Sequence, residues 1–344
     1  MLTTGKIDKT MSITTAKACS STNPFWDSLR SIWDDPTCVW VSESNVVRVA
    51  KALAEEDFPV PSWREPIFPE QDEEFFDFVA VGNCINFAFT NFETGKSFTT
   101  DYHGSQWRGA FGMWACLRRA LENRSAITSG EFLSTLTLAK CRELFAGDPP
   151  MPMIEERYAI LKEVGDVLCN HYQGRFQNLL TSSRGNAFGG RGLVTQLLKR
   201  FPSFRDESRH IRTGTFLQFE KRAQLLAMMY QGRALASTVL EPLSDFRNLG
   251  PIADYSVPRA LHSQGILRYS PELERQIIAR SILAKDSIAE QEIRAQATNA
   301  QIMLLRGINS LRRSTLTFLE LDYKLWMLGR GVAPPHHLTR TTAY

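Results

Sequence analysis

The sequence predicts a mainly α-helical protein with a small N-terminal β element (α+β), folded as a single compact domain. Three observations carry this. From Gly109 to residue 328 the apolar residues recur at helical spacing almost without interruption. Before that, residues 75–92 read FFDFVAVGNCINFAFTNF, rich in Phe and Val, and are followed by the turn-formers Gly95 and Gly104. No repeat of fixed period and no long flexible linker divides the chain.

Residues 1–22 are rich in Ser, Thr and Lys and lack both an apolar signal core and Arg, so they read as a disordered N-terminal tail. The domain, residues 23–328, begins near Phe25, Trp26 and Trp33. Ser44 is placed to cap a helix running to about Glu55, with Val46, Val47, Val49, Ala50 and Leu53 on its apolar face. A loop with Pro59, Pro61, Pro66 and Pro69 follows and ends in the acidic run Asp72–Glu74, expected on a solvated surface. Residues 75–92 are expected to form one or two short strands. Gly95 and Gly104 bracket a hairpin with Phe98 and Tyr102, so the β part covers about 75–103.

The helical part covers about 109–328. Its segments are 109–122, 129–135, 137–146, 153–173, 190–200, 218–237, 258–264, 271–284, 288–310 and 315–328. Ser129 and either Ser314 or Thr315 are candidate N-caps, and Pro258 suits a first turn, where its missing N–H costs nothing. From Gly329 to Tyr344 the chain, with PPHH and TRTT, reads as a poorly ordered C-terminal tail. The adjacent His336 and His337 are weak grounds for a metal site.

Composition narrows the function. Of 344 residues, 43% are hydrophobic and 22% charged, and the formal net charge is +3 with no Lys/Arg block. That pattern is ordinary for a soluble domain and disfavours a nucleic-acid polymer as partner. No apolar run is long enough to span a bilayer. The six cysteines are scattered, with neither CxxC nor His pairs at zinc-ligand spacing, which points to a reduced, cytoplasmic protein without structural zinc.

The widespread catalytic motifs (GxGxxG, P-loop, HExxH, GxSxG) are absent. Gly185, Gly189, Gly190 and Gly192 precede a helix, where a phosphate can sit, but a flexible surface loop is the better reading of them. Attention falls instead on polar residues among apolar ones. In NLGPIADYSVPRAL (248–261), Asp254 stands just before a helix, suited either to general-base or charge-stabilising work or to simple capping. Lys221 opens KRAQLLAMMY, as a phosphate ligand or a surface cation. Asp322 and Trp326 in LDYKLW are four apart on one helix face, and Asn86 interrupts an apolar stretch and must find partners.

These segments, taken together, resemble the queuosine salvage protein family, the queuosine 5′-phosphate N-glycosylase/hydrolases. The resemblance rests on PSFRDE (202–207), FEKRAQLLA (219–227), IADYSVPRAL (252–261) and LDYKLW (321–326), with INFAF (85–89), ALENRSAITSGEFLSTLTL (120–138) and MIEERYAILKEVG (153–165). All are in the same order and cover about Cys38 to Trp326.

The resemblance implies a fold similar to helix-hairpin-helix DNA glycosylases. It implies hydrolysis of the N-glycosidic bond of queuosine 5′-phosphate, releasing queuine for salvage into tRNA modification, with no metal or cofactor. It casts Asp254 as the catalytic carboxylate and Lys221 as a substrate-binding cation, with Arg222 and Arg259 as alternatives for the phosphate. Asp322 and Tyr323, with Trp326, would hold the base, and Asn86 and Ile252 would join the pocket. The departures are Ile252 for Phe, Thr90 for Trp, Ser256 for Arg, and Met327 where an acidic residue is frequent. PIFPEQ (66–71) also lacks a histidine that some relatives carry. Two alternatives stand beside this: a related-fold glycosylase acting on DNA or another nucleotide, marked by salt-sensitive binding, and a non-catalytic nucleotide-binding member.

Overall fold

A computed structural model describes residues 23–344; the N-terminal segment 1–22, expected to be a disordered tail, lies outside the described residues. The first part of the chain holds α1 (Trp26–Asp34), β1 (Val39–Val41), α2 (Glu43–Ala54), α3 (Asp72–Cys84) and the hairpin β2 (Thr99–Tyr102) and β3 (Ser105–Arg108). A helical stretch follows: α4 (Ala110–Glu122), α5 (Gly130–Ser134), α6 (Leu138–Leu144), α7 (Ile154–Tyr172), α8 (Phe176–Ser182) and α9 (Leu193–Arg200). The strands β4 (Glu207–Arg209) and β5 (Phe216–Gln218) lead into α10 (Lys221–Leu235). Then come α11 (Ser256–Ser263), β6 (Leu267–Tyr269), α12 (Pro271–Ile278), β7 (Ile282–Leu283), α13 (Ile288–Leu311), α14 (Phe318–Leu328) and β8 (Leu338–Thr339). The strands form four two-stranded sheets, β1–β6, β2–β3, β4–β5 and β7–β8, the last of them parallel.

Five helices start at side-chain caps, whereas α2 begins at Glu43, so that Ser44 lies inside it and does not cap it. Ser129, Thr137, Ser270 and Ser287 each accept a backbone N–H with the side chain at the starts of α5, α6, α12 and α13. The cap of α14 is Thr317, a little beyond the expected Ser314 or Thr315, because only Thr317 has Glu320 in register to close a capping box. The helix expected over 271–284 stops at Ile278, and the chain passes into β7.

Two expectations are corrected. Residues 75–84 are not strand: they belong to α3, whose residues Phe75 to Cys84 are all buried. A helix surrounded by core carries no polar face, so its sequence shows no 3.6-residue period and reads like a buried strand. The acidic run before it is the first turn of α3, favourable to the helix dipole. Asp72 is not simply solvated, since it pairs with the buried Arg233 at 2.5 Å. The β element shrinks to the hairpin 99–108, turning at His103 and Gly104.

The second correction concerns the end of the chain. Residues 329–344 pack onto the domain: β8 pairs with β7, and His337 and Tyr344 are buried. His337 Nε2 and the Tyr344 hydroxyl lie 3.2 Å apart, and the Tyr344 ring covers the Arg294 guanidinium at 4.3 Å. These specific contacts outweigh a composition that reads as a tail.

Candidate active site

A cleft opens between α4, α10, α14 and the loop around Pro61, with the mixture of apolar walls and a few convergent polar groups that marks small-ligand sites. Its walls are apolar and aromatic, from Trp63, Phe111, Trp114, Met228, Met229 and Trp326. Trp63 meets Tyr323 edge-on at 5.5 Å, and Phe111 meets Trp326 likewise at 5.5 Å. Polar groups converge at the floor: Asn86, Lys221, Asp254 and Asp322.

The segments carrying Asn86, Lys221 and Asp254 are held by a buried polar frame. After α3 the backbone of residues 85–88 runs without regular structure, and buried arginines satisfy its carbonyls and that of the last helical residue, Cys84. Arg157 donates to Ile85, Phe87 and Ala88, and Arg222 to Cys84. The Asn86 carbonyl is thereby presented to Lys221, whose Nζ donates to it at 3.1 Å. Lys221 opens α10, and Asp206 Oδ2 accepts its backbone N–H at 3.2 Å. Asp206 is in turn clasped by Arg294 of α13, at 2.8 and 2.5 Å, and Arg294 Nε donates to the Ala253 carbonyl at 3.4 Å. Gln301 donates to the Ile252 carbonyl at 2.9 Å. So α13 fixes the segment carrying Asp254 from behind.

That segment enters through Gly250, at φ +75, where an added Cβ would lie 2.7 Å from Phe318 Cβ. Glycine is required there both for the backbone and for the close approach. Trp63, Ala88 and Glu220 also adopt positive φ beside the cleft, conformations that only a well-braced surround sustains in non-glycine residues.

Asp254 divides its carboxylate between two tasks. Oδ1 accepts the backbone N–H groups of Ser256 and Val257 at 2.7 and 2.9 Å, the capping geometry. Oδ2 takes no hydrogen bond from the described residues and is left for the cleft. Burial pushes the Lys221 ammonium down to about 8, opposed chiefly by the charge of Asp254 and then that of Asp322. Burial also pushes the Asp322 carboxyl well above the usual carboxylate range, and the Asp254 charge adds to this while Lys221 opposes it. Asp322 Oδ1 is buried without a hydrogen-bond partner. The floor thus brings one cation and two carboxyl groups into one cleft, and burial pushes Asp322 toward its neutral form.

The structure brings Asn86, Lys221, Ile252, Asp254, Asp322, Tyr323 and Trp326 to one cleft. It does not bring Arg259 or Arg222 there. Arg259 Nε donates to the Pro334 carbonyl at 2.8 Å, and its terminal nitrogen donates to Val332. Arg222 donates to the Cys84 and Ser203 carbonyls. Both brace backbone. Thr90 lies in a small cavity behind the floor, 3.3 Å from His336, which stacks on Tyr255 at 4.4 Å. Ser256 and Met327 do not line the cleft. An added Cβ at Gly185, Gly189 or Gly190 would meet only open space, and the loop is not part of the cleft.

Sequence reasoning missed Trp63, Phe111 and Trp114 as wall residues. Aromatic residues are common in both cores and pockets, so nothing local set these apart.

Among the described residues no group of His, Cys, Asp and Glu is arranged to hold a metal ion. The described cysteines, Cys38, Cys84, Cys116, Cys141 and Cys169, are unpaired. No helix among the described residues is long and apolar enough to cross a membrane.

A family profile described as queuosine salvage protein matches residues 67–344. A protein of Sphaerobacter thermophilus named queuosine 5′-phosphate N-glycosylase/hydrolase is 32% identical over 319 residues, covering 92% of this chain and 96% of the relative. A mouse protein of the same name is 30% identical over 343 residues, covering 92% and 98%. The profile spans most of the chain and includes every floor residue of the cleft, so the chain belongs to the queuosine salvage protein family.

Proposed function

We propose that this protein hydrolyses the N-glycosidic bond of queuosine 5′-phosphate and releases queuine for reuse in tRNA modification. The observation that supports this most directly is Asp254, with one oxygen anchored in a helix cap and the other free at the floor of an aromatic cleft.

Queuine is a 7-deazaguanine, with no N7 to protonate, so help to the leaving group is limited. The burden shifts to the sugar, which develops positive charge as the bond to the base lengthens. A fixed carboxylate beside the anomeric carbon stabilises that charge and accepts a proton from the attacking water. The hydroxyl of water joins the anomeric carbon, and the bonding electrons leave with the base, which ends protonated. Anchoring Oδ1 in the cap keeps Oδ2 aimed without reorganisation during the reaction. Lys221 lines the same floor and places a positive charge near Asp254.

The base lies between the aromatic walls, with Tyr323 and Trp326 at one end and Ile252 in place of a ring. Asp322 serves as counter-ion to the secondary ammonium on the queuine side chain, giving up its proton when that cation arrives. The reading includes a scaffold akin to helix-hairpin-helix DNA glycosylases, catalysis without a metal, and a cytoplasmic location.

The test is direct. Purified protein is incubated with queuosine 5′-phosphate, with and without EDTA, and free queuine is measured by mass spectrometry. Catalytic release at the same rate in both is expected. Absence of queuine overturns the activity, and loss only with EDTA overturns the metal-free chemistry.

A further inference from the structure

We propose that Arg330, at the mouth of the cleft, is the cation that recognises the 5′-phosphate of the substrate. This deepens the function proposed above and rests on it.

A nucleotide's phosphate needs a positively charged group that is not already engaged. Lys221 is poorly suited, because its Nζ is tied to the Asn86 carbonyl and already feels the charges of Asp254 and Asp322, which line the same floor. A phosphate placed there would face both carboxyl groups. Arg222 and Arg259 are spent on backbone carbonyls away from the cleft.

Arg330 lies just beyond the end of α14 and is exposed. Its guanidinium carbon sits 5.3 Å from the Phe111 ring centroid and 5.2 Å from that of Trp326, both wall residues of the cleft. Its charge is also felt by the Tyr323 hydroxyl, where it opposes the upward push of burial and of Glu65. The guanidinium is thus held over aromatic rings at the rim. Its one hydrogen bond is a weak contact to Met327 Sδ at 3.9 Å, and no carboxylate among the described residues lies within ion-pair distance. Contact with ring faces leaves the edge of the guanidinium, with its fork of N–H donors, open to a phosphate. The arrangement also sorts the substrate by charge. The cationic side chain of the base meets the acidic floor, and the anionic end stays at the solvent-facing rim, where its desolvation costs least.

The experiment compares wild type, Arg330→Ala and Arg330→Lys on queuosine 5′-phosphate and on queuosine, with ribose 5-phosphate as a competitive inhibitor. Arg330→Ala should lose about 10- to 100-fold in kcat/KM on the nucleotide, mainly through KM. That loss should exceed the loss on the nucleoside at least about tenfold. Arg330→Lys should fall between, keeping charge without the fork. Ribose 5-phosphate should inhibit Arg330→Ala only at about tenfold higher concentration than wild type. Undiminished nucleotide turnover, or equal losses on both substrates, overturns the assignment. If wild type does not turn over the nucleoside, the ribose 5-phosphate comparison decides: an unchanged inhibition constant overturns it. Failure of wild type to release queuine from either substrate instead removes the functional reading itself.

Discussion

Arg294 clasps Asp206 with both terminal nitrogens, at 2.8 and 2.5 Å, and the same two side chains hold the backbone of Lys221 and of Ala253. One buried ion pair therefore positions the start of α10 and the segment bearing Asp254. Arg294→Met should leave Asp206 buried and uncompensated, lowering stability by roughly 3–5 kcal/mol. Urea unfolding measures this. The double variant Asp206→Asn/Arg294→Met should recover part of the loss, because Asp206 no longer carries a lone charge, although Glu290, which also pairs with Arg294 at 3.7 Å, still loses its partner. A double variant worse than the sum of the singles contradicts the coupling.

Asp254→Asn should abolish turnover while the fold survives. The asparagine Oδ1 can keep both bonds to Ser256 and Val257, so capping is retained. On the proposed role, the charge that would face the sugar is lost, at a cost of about 100- to 1000-fold, and loss of the proposed base adds roughly another 100-fold. A thermal melt is paired with single-turnover queuine release. Near-wild-type release from a folded variant would sink the catalytic role.

The pH profile should carry the signature of Lys221. Its ammonium is pushed down to about 8 by burial, so it is lost as pH rises through that value, and Asp254 loses its neighbouring cation. Activity should fall on the alkaline side of about 8. Glu220, raised to about 8 by burial and Asp206, titrates in the same range. Glu220→Gln should keep the alkaline limb, and Lys221→Met should be slow and lack it. For stability the sign is opposite. A folded-state value below the ordinary lysine range means that the unfolded chain binds more protons between the two, so this residue's burial penalty is relieved as pH rises through that window. Wild type should therefore gain stability relative to Lys221→Met from about pH 8 upward.

Asp322→Ala should weaken binding of queuosine 5′-phosphate more than binding of guanosine 5′-phosphate, since only queuosine carries the ammonium and diol. Equal losses would mark Asp322 as structural. Because its carboxyl is held above the usual range, binding of the cationic base should release a proton. Calorimetry in buffers of different ionisation enthalpy reads this directly, and proton uptake would contradict the counter-ion role.

The helices from α4 to α14 were largely legible because most pack one face on the core and keep the other in water, which writes a period into the sequence. The element read as strand, α3, is buried all round and has no such face. The seven-residue α8, about two turns long, was missed; unlike α5 and α6, it has no side-chain N-cap to mark its start. Asp254, Lys221 and Asp322 stood out through their motifs. Arg259 was drawn in by sequence proximity to Asp254, but α11 carries it to Val332 and Pro334. Trp63, and the place of Arg330 over Phe111, became visible only through contacts far apart in sequence, which no local pattern records.

Strand β1, near the start of the described chain, finds its sole sheet partner in β6, and α2 lies against α13. A ribosome emits β1 long before either partner exists. The nascent chain must therefore carry Val39 and the apolar side of α2 uncovered through most of its synthesis, which invites chaperone protection. The cleft itself closes last, once Trp326 has emerged, so this protein has no working half-made form. Queuine release, if measured during translation, would appear only with the finished polypeptide.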